Sequence, residues 1–175
     1  MTDTANARWT RRPEGSNWGQ FGPDDQQGRM NLITLQVRLA AFREGRQGRG
    51  FVLSLPLDFP RGGAEHSPRK GPRLSPNRLG GNALCNHAIT PTDLTCDDTV
   101  TLSLQYSTQW DALVHWGRQF DVNGYGKPQP VYYNGYRAHE HVRCDADGTG
   151  FRAEALGIEN MAETGVQGRG VLVNL

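Results

Sequence analysis

Glycine and proline recur along the whole chain, and they limit the length of any helix or strand. The 175 residues include 22 glycines and 10 prolines. Both residue types interrupt regular structure, glycine through its conformational freedom and proline through its fixed φ and missing N–H. The sequence therefore predicts short elements joined by many turns, and it argues against a helical bundle.

The balance of charge excludes several classes of partner. The net charge is +1 and the isoelectric point is about 7.8, so the chain has no strong field for nucleic acid or an anionic membrane. No apolar run approaches the roughly 20 residues needed to span a bilayer, and the first 15 residues lack the apolar segment of a signal peptide. Cys85, Cys96 and Cys144 have no CxxC spacing and are odd in number. We expect reduced thiols in a soluble, cytoplasmic protein.

Hydrophobic periodicity predicts a mixture of helices and strands, hence an α/β domain. Thr34 is placed to cap a helix over residues 35–45, and Gly165 to close a second one over residues 158–163. The predicted strands are residues 51–57, 99–104, 131–133 and 171–175. Residues 58–82 are rich in Gly and Pro and predict a long loop.

The first 29 residues are predicted to form an extended, irregular arm, and residues 30–175 the α/β domain. Trp9, Trp18 and Phe21 punctuate the arm, and such aromatics usually fix an extended segment to a core or to a partner subunit. The chain stops at the end of an apolar segment, 171–175, without a polar cap. We interpret this ending as a truncation.

Asp111 and His115 follow the predicted strand over residues 99–104, four residues apart. If the segment turns or begins a helix, the two side chains converge on one point. A carboxylate suits a hard or borderline divalent ion, and a histidine can bind the same ion or act as a base. On spacing alone, a surface aspartate beside a half-buried histidine is the simpler interpretation.

His139 and His141 flank Glu140 and share a face if the segment is extended. The HExxH spacing of zinc hydrolases is not met. Solvated loop residues are the simpler interpretation of this segment, and a metal site is the alternative.

Residues 107–115, STQWDALVH, resemble the signature of the cyclase family, which includes bacterial kynurenine formamidases and isatin hydrolases. That signature runs His-x3-His-x-Asp-x3-His. Residues 17–25 and 28–34 are similar to the N-terminal arm of the longer bacterial members. Residues 51–57 and 168–172 match that subgroup in character and order. The resemblance implies the swivelling β/β/α-type fold of the family.

The resemblance also implies roles for particular residues. The two metal-binding histidines of the signature fall on Gln105 and Gln109, its metal-binding aspartate on Asp111 and its catalytic histidine on His115. A Gln carbonyl is a weaker zinc ligand than imidazole, although manganese or magnesium accepts it. The family takes a further His and Glu from its C-terminal half, which would lie beyond Leu175.

The activity implied by the resemblance is metal-dependent hydrolysis of an amide-type C–N bond, as in an arylformamidase of tryptophan catabolism through kynurenine. A divalent metal, zinc or manganese, is the expected cofactor. Trp110 and Trp116 could stack on an aryl substrate or simply pack in the core. A small-molecule substrate and a homodimer are expected. The alternatives are a catalytically inactive fragment and a scaffold or binding protein that kept the fold.

Overall fold

The computed structural model describes residues 8–60 and 67–173. Two helices, α1 (Leu35–Phe42) and α2 (Glu159–Ala162), accompany three short 3-10 helices, Gly28–Leu32, Leu113–His115 and Tyr133–Gly135. The strands are β1 (Arg73–Pro76), β2 (Arg78–Leu79), β3 (Asn82–Ala83), β4 (His87–Ala88), β5 (Leu94–Thr95), β6 (Asp98–Thr101), β7 (Arg118–Phe120), β8 (Gln129–Val131), β9 (Val142–Cys144) and β10 (Phe151–Ala153). Among the described residues, no helix has the length and apolar character needed to cross a bilayer.

The chain divides into two compact units. Unit 1 comprises Met1–Arg49 together with Asp111–Leu175, and unit 2 comprises Gly50–Trp110. The strands form two-stranded antiparallel ribbons: β1 with β6, β2 with β3 and β4 with β5 in unit 2, and β7 with β8 and β9 with β10 in unit 1. Short ribbons are what the even spacing of Gly and Pro predicts.

Helix α1 begins where the sequence predicts. The Thr34 side chain accepts a hydrogen bond from the Val37 amide at 3.3 Å, which satisfies one of the free N–H groups of the first turn. The helix ends at Phe42, three residues before the predicted end. Its apolar stripe, Leu35, Leu39 and Phe42, remains exposed.

Aromatic residues fix the N-terminal arm to the rest of unit 1, as predicted. The Trp18 ring is buried with Val122 and Val131, and it meets the Phe120 ring edge-on at 6.3 Å between centroids. Trp9 packs against Trp18 at 6.0 Å. Burial of such large rings contributes to holding the arm in place.

The predicted turn at Asn134-Gly135 forms around a buried amide, whereas the predicted strand over residues 131–133 is correct only at Val131. β8 ends at Val131, and the turn that follows holds Asn134 at φ 54° and Gly135 at φ 75°. Asn134 is the one fully buried polar residue in the described chain. Its side chain bonds to the arm, accepting from the Gly19 amide at 2.9 Å and donating to the carbonyls of Gly22 and Pro23 at 3.0 and 2.8 Å.

A second apolar cluster in unit 1 contains Ala112, Val114, Tyr136, Val142, Ala155 and Leu156. The Val114 amide donates to the Leu156 carbonyl at 3.2 Å, which ties the segment before His115 to the segment before α2. Helix α2 and the left-handed Gly165 that follows it confirm the predicted short helix.

Two predicted strands are wrong, and one predicted loop is partly wrong. Residues 51–57 contain no strand, and Val52 is 91% exposed. Residues 171–173 also form no strand, and Leu172 is 94% exposed; residues 174 and 175 lie outside the described residues. An apolar run becomes a strand only if a second strand edge and a face to bury against are present, and the described residues of the two units pair no edge with these runs.

The segment predicted as a loop over residues 58–82 contains β1, β2 and the start of β3. β1 pairs with β6 in a register that places Leu74 opposite Val100 and Pro76 opposite Asp98. The predicted strand over residues 99–104 is confirmed in its first part, because β6 spans Asp98–Thr101.

Candidate functional site

Asp111 and His115 stand on the outer side of a segment whose inner side is buried. Ala112 and Val114 belong to the apolar cluster of unit 1, and between them the chain enters the 3-10 helix Leu113–His115. The His115 amide donates to the Ala112 carbonyl at 3.1 Å, closing the turn. Because the flanking residues point inward, the side chains of Asp111 and His115 are left 52% and 29% exposed.

The two side chains are in direct contact through His115 Nδ1 and Asp111 Oδ1. The predicted convergence of this pair is therefore present. In the neutral imidazole, a carboxylate acceptor assigns the proton to Nδ1, because a carboxylate oxygen has no proton to give. Nε2 is then the nitrogen that can take up a proton, and Asp111 stabilises the imidazolium that results.

Three of the other predicted site residues belong to unit 2. Gln105, Gln109 and Trp110 lie in the irregular segment that follows β6. The backbone carbonyl of Gln105 accepts from Arg69 Nη1 at 2.9 Å, and Trp110 is exposed. Within unit 1, the structure thus brings Asp111 and His115 together, and Trp116 follows them directly.

A metal site is incomplete among the described residues. No group of three or more His, Cys, Asp and Glu side chains is placed there to hold an ion. Asp111 and His115 provide two donors, whereas a catalytic zinc typically has three protein ligands and an open position. The described residues alone therefore do not complete a metal centre.

A pocket of about 520 Å³ in unit 1 is lined by Trp116, the residue after His115, together with Trp18, Gly117, Arg118, Val131, Tyr132 and Tyr133. Its lining is mainly aromatic, and Trp116 is 87% exposed. Trp116 is therefore not a core residue of unit 1. Its indole does not pack in the core of the described residues and is accessible to a ligand.

The Tyr132 ring packs onto the backbone at Gly117. A Cβ on Gly117 would lie 3.0 Å from Tyr132 Cε1 and 3.0 Å from the Val131 carbonyl oxygen. Only a residue without a side chain allows this approach, so Gly117 sets the position of the ring that forms one wall of the pocket.

Arg118 adds positive charge to the pocket. Its guanidinium carbon lies 5.5 Å from the centre of the Phe120 ring, a cation–π contact that orients the side chain. Within residues 8–60 and 67–173, no carboxylate forms an ion pair with it. Sequence patterns did not single out Arg118 or Tyr132. The alternation of residues 116, 118 and 120 in an extended segment was the available signal.

The contacts of His141 stabilise the local fold. Its Nδ1 accepts a hydrogen bond from the Arg137 amide at 3.1 Å, and its ring meets the Tyr136 ring edge-on at 5.1 Å. The nearest carboxylate contact is Glu140, at 3.7 Å from Nε2. These contacts favour the interpretation of residues 139–141 as loop residues that support the fold.

A hydrogen bond joins Tyr133 to Asp25 of the arm. The Tyr133 hydroxyl donates to Asp25 Oδ2 at 2.7 Å, and the same oxygen accepts from the Gly28 amide at 2.8 Å. Burial, followed by the hydrogen bond and the charge of Asp25, raises the pKa of Tyr133 far above its ordinary value. Tyr133 therefore stays protonated and serves as a donor.

Comparison with known proteins adds one finding. No protein-family model matches the chain, and no curated protein matches it. A solved structure described as a novel cyclase is 33% identical, with a TM-score of 0.56 over 82% of this chain. This similarity supports the cyclase family. The chain spans 42% of that cyclase's length, so the activity of a whole cyclase comes to this chain only as a proposal.

Proposed function

We propose that the chain is part of a cyclase-family hydrolase that cleaves an amide-type C–N bond in an aryl substrate, in the manner of an arylformamidase. The observation that carries the proposal is the contact between His115 Nδ1 and Asp111 Oδ1, in a segment whose next residue, Trp116, lines an aromatic pocket. A carboxylate-oriented imidazole is a recurrent means of moving protons in hydrolysis.

The proposed roles follow from the geometry of the pair. His115 Nε2 accepts a proton from the attacking water and returns it to the leaving nitrogen. Asp111 holds the ring orientation and offsets the charge of the imidazolium. General acid–base catalysis of this kind contributes roughly 10²–10⁴-fold in rate.

The pocket is proposed to bind the aryl group. Trp116 offers an exposed indole face, and the Tyr132 ring forms a wall held by Gly117. Arg118 favours a substrate with a carboxylate on or near its ring, because a guanidinium pairs well with that group. Trp110 remains a second proposed stacking residue.

A divalent metal, zinc or manganese, is an open part of this proposal. Asp111, Gln109 and Gln105 are the ligands that the resemblance implies. Since the described residues do not complete such a site, no step is assigned to a metal. A homodimer that acts on a small molecule is likewise proposed.

The deciding experiment is a hydrolysis assay on the purified chain with N-formylkynurenine, with and without added manganese or zinc. His115→Gln and Asp111→Asn should each lower kcat/KM by about 100-fold or more while leaving the circular dichroism spectrum unchanged. His87→Gln, a histidine of unit 2, is the matched control and should keep full activity. Normal turnover by either of the first two variants would refute the assigned roles.

A second candidate function is a scaffold or binding protein that kept the fold without catalysis. Glutamines at positions 105 and 109, where the family signature has histidines, favour it. Metal analysis of the purified protein separates the two candidates. Stoichiometric zinc or manganese supports the hydrolase, and a metal-free protein that binds aryl ligands without turnover supports the binding protein.

A further inference from the structure

Two cysteines of unit 2 lie in the facing segments next to β4 and β5, at an irregularity in the pairing. β4 pairs with β5, with His87 opposite Thr95. On the other side, the Asp97 amide donates to the Leu84 carbonyl at 2.8 Å. Between these two contacts, one strand holds Cys85 and Asn86, whereas the other holds only Cys96. Two residues opposite one is the arrangement of a β-bulge.

Both cysteines line one pocket at the bulge. Asn86 adopts a left-handed conformation with φ 49°, which breaks the alternation of side chains along the strand. Cys85 and Cys96 line the same pocket of about 320 Å³, together with Leu74, Leu84 and other residues of β1 and its neighbours. Both cysteines are exposed and free.

A hydrogen bond limits the separation of the two residues. The Asn86 amide nitrogen, which follows Cys85, donates to Cys96 Sγ at 3.2 Å. Since that nitrogen is about 2.4 Å from Cys85 Cα, Cys96 Sγ lies within about 5.6 Å of the same Cα. Adding the roughly 2.8 Å between Cys96 Sγ and its own Cα limits the separation of the two Cα atoms to about 8.4 Å. Disulfides join residues whose Cα atoms are about 4.4–6.8 Å apart, so closing the bond calls for side-chain rotation and an approach of the two segments by no more than a few ångströms.

We propose that Cys85 and Cys96 are a dithiol modification site that reacts with small-molecule disulfides, such as oxidised glutathione, and closes to an intramolecular disulfide. Cys144 lies in β9 of unit 1 and is not part of the site. The site is separate from Asp111 and His115 and does not depend on the proposed function.

The exchange proceeds in two steps. One cysteine thiolate attacks a sulfur of oxidised glutathione, forming a protein–glutathione disulfide and releasing one glutathione thiolate. The second cysteine thiolate attacks the protein sulfur of that mixed disulfide, forming the Cys85–Cys96 bond and releasing the second glutathione. Two electrons pass from the protein to glutathione disulfide, and the two thiol protons end on the released glutathione.

The test uses the full chain carrying Cys144→Ser, equilibrated in mixtures of reduced and oxidised glutathione, alkylated, and analysed by mass spectrometry. The same chain in concentrated urea is the reference, because cysteines this close in sequence also meet in an unfolded chain. The folded protein should form the Cys85–Cys96 disulfide with an effective concentration about tenfold or more above the urea value. An equal or lower value, or accumulation of two glutathione adducts, would overturn the proposal.

Single variants examine each half of the reaction. Cys85→Ser and Cys96→Ser should each stop at one glutathione adduct. Asn86→Gly, which retains access to the left-handed conformation, should behave as the parent, whereas Asn86→Val should lower the folded-state effective concentration by about fivefold or more. Unchanged closure in a folded Asn86→Val protein would contradict the role of the bulge.

Discussion

Asn134 Oδ1 accepts a hydrogen bond from the Gly19 amide at 2.9 Å, across 115 residues of sequence. The Nδ2 group of the same side chain donates to Gly22, Pro23 and Asp25 carbonyls at 3.0, 2.8 and 3.3 Å. One buried amide thereby satisfies four backbone groups of the arm. These hydrogen bonds hold the arm against the rest of unit 1. No other residue type provides the same donor and acceptor in a side chain of this size.

We expect Asn134→Ala to lower the free energy of unfolding by about 2–4 kcal/mol, because it leaves buried backbone groups unsatisfied and puts alanine, which adopts positive φ less readily than asparagine, in the left-handed region. Urea denaturation measures the change. Asn86→Ala is the matched control, since Asn86 is also left-handed but exposed, and it should cost about 1 kcal/mol. Equal losses in the two variants would show that backbone conformation, and not the buried bonds, is what matters.

Gly117→Ala should disturb the aromatic pocket. The added methyl would meet the Tyr132 ring and the Val131 carbonyl at about 3.0 Å, and displacing them should cost about 1–3 kcal/mol of stability. If the proposed function holds, KM should rise more than kcat falls, because the wall of the pocket moves and the His115–Asp111 contact does not. Gly168→Ala, at a glycine with open space around it, should change neither quantity.

Arg118→Ala should weaken binding of aromatic carboxylates by about tenfold and leave binding of the uncharged aryl amides unaffected, because only the carboxylates pair with the guanidinium. Quenching of tryptophan fluorescence by an unreactive aromatic acid measures the affinity without any turnover. Arg118→Lys should retain part of the discrimination, and Arg73→Ala in unit 2 should retain all of it. Equal weakening for charged and neutral ligands would refute the assigned specificity.

Asp121 makes stability depend on pH in acid. Burial raises the pKa of its carboxyl, but hydrogen bonds from the amides of Gly126, Tyr125, Gly124 and Asn123 outweigh it, so the pKa lies below the ordinary value of 3.8. A lowered folded-state pKa contributes stability above the unfolded value that is lost as the pH falls through the folded one. The melting temperature of the parent should exceed that of Asp121→Asn above pH 5, and the difference should shrink below pH 3.8. A constant difference across this range would exclude the carboxylate as its cause.

Local signals in the sequence were sufficient wherever a short-range interaction decides the structure. Thr34 caps α1 with its own side chain, Asn134-Gly135 forms the turn that its dihedral preferences favour, and Asp111 and His115 meet because four residues with a turn bring them together. In each case the determining atoms lie within a few residues.

Signals failed where a distant partner decides. The apolar residues 51–57 and 171–173 have strand propensity, but in the described units they have no paired edge, and they remain irregular. β1 could not be predicted from its own Gly- and Pro-rich segment, because it forms by pairing with β6. The paired residues Pro76 and Asp98 are 22 positions apart in the sequence. The bulge at Asn86 and the pocket residues Arg118 and Tyr132 depend on such pairings too.

The ribbons of this protein have a consequence for its dynamics. Apart from the single bridges Val131–Arg137 and Ala138–Val142, every strand in the described ranges has one hydrogen-bonded neighbour. In a two-stranded ribbon, each strand has one edge hydrogen-bonded to its neighbour, and the other edge has no strand partner. Slow hydrogen exchange must therefore come from side-chain burial. The most slowly exchanging amides should therefore mark Val122, Val131 and Leu156, the buried positions, and outline a kinetic core that the map of strands alone would not reveal.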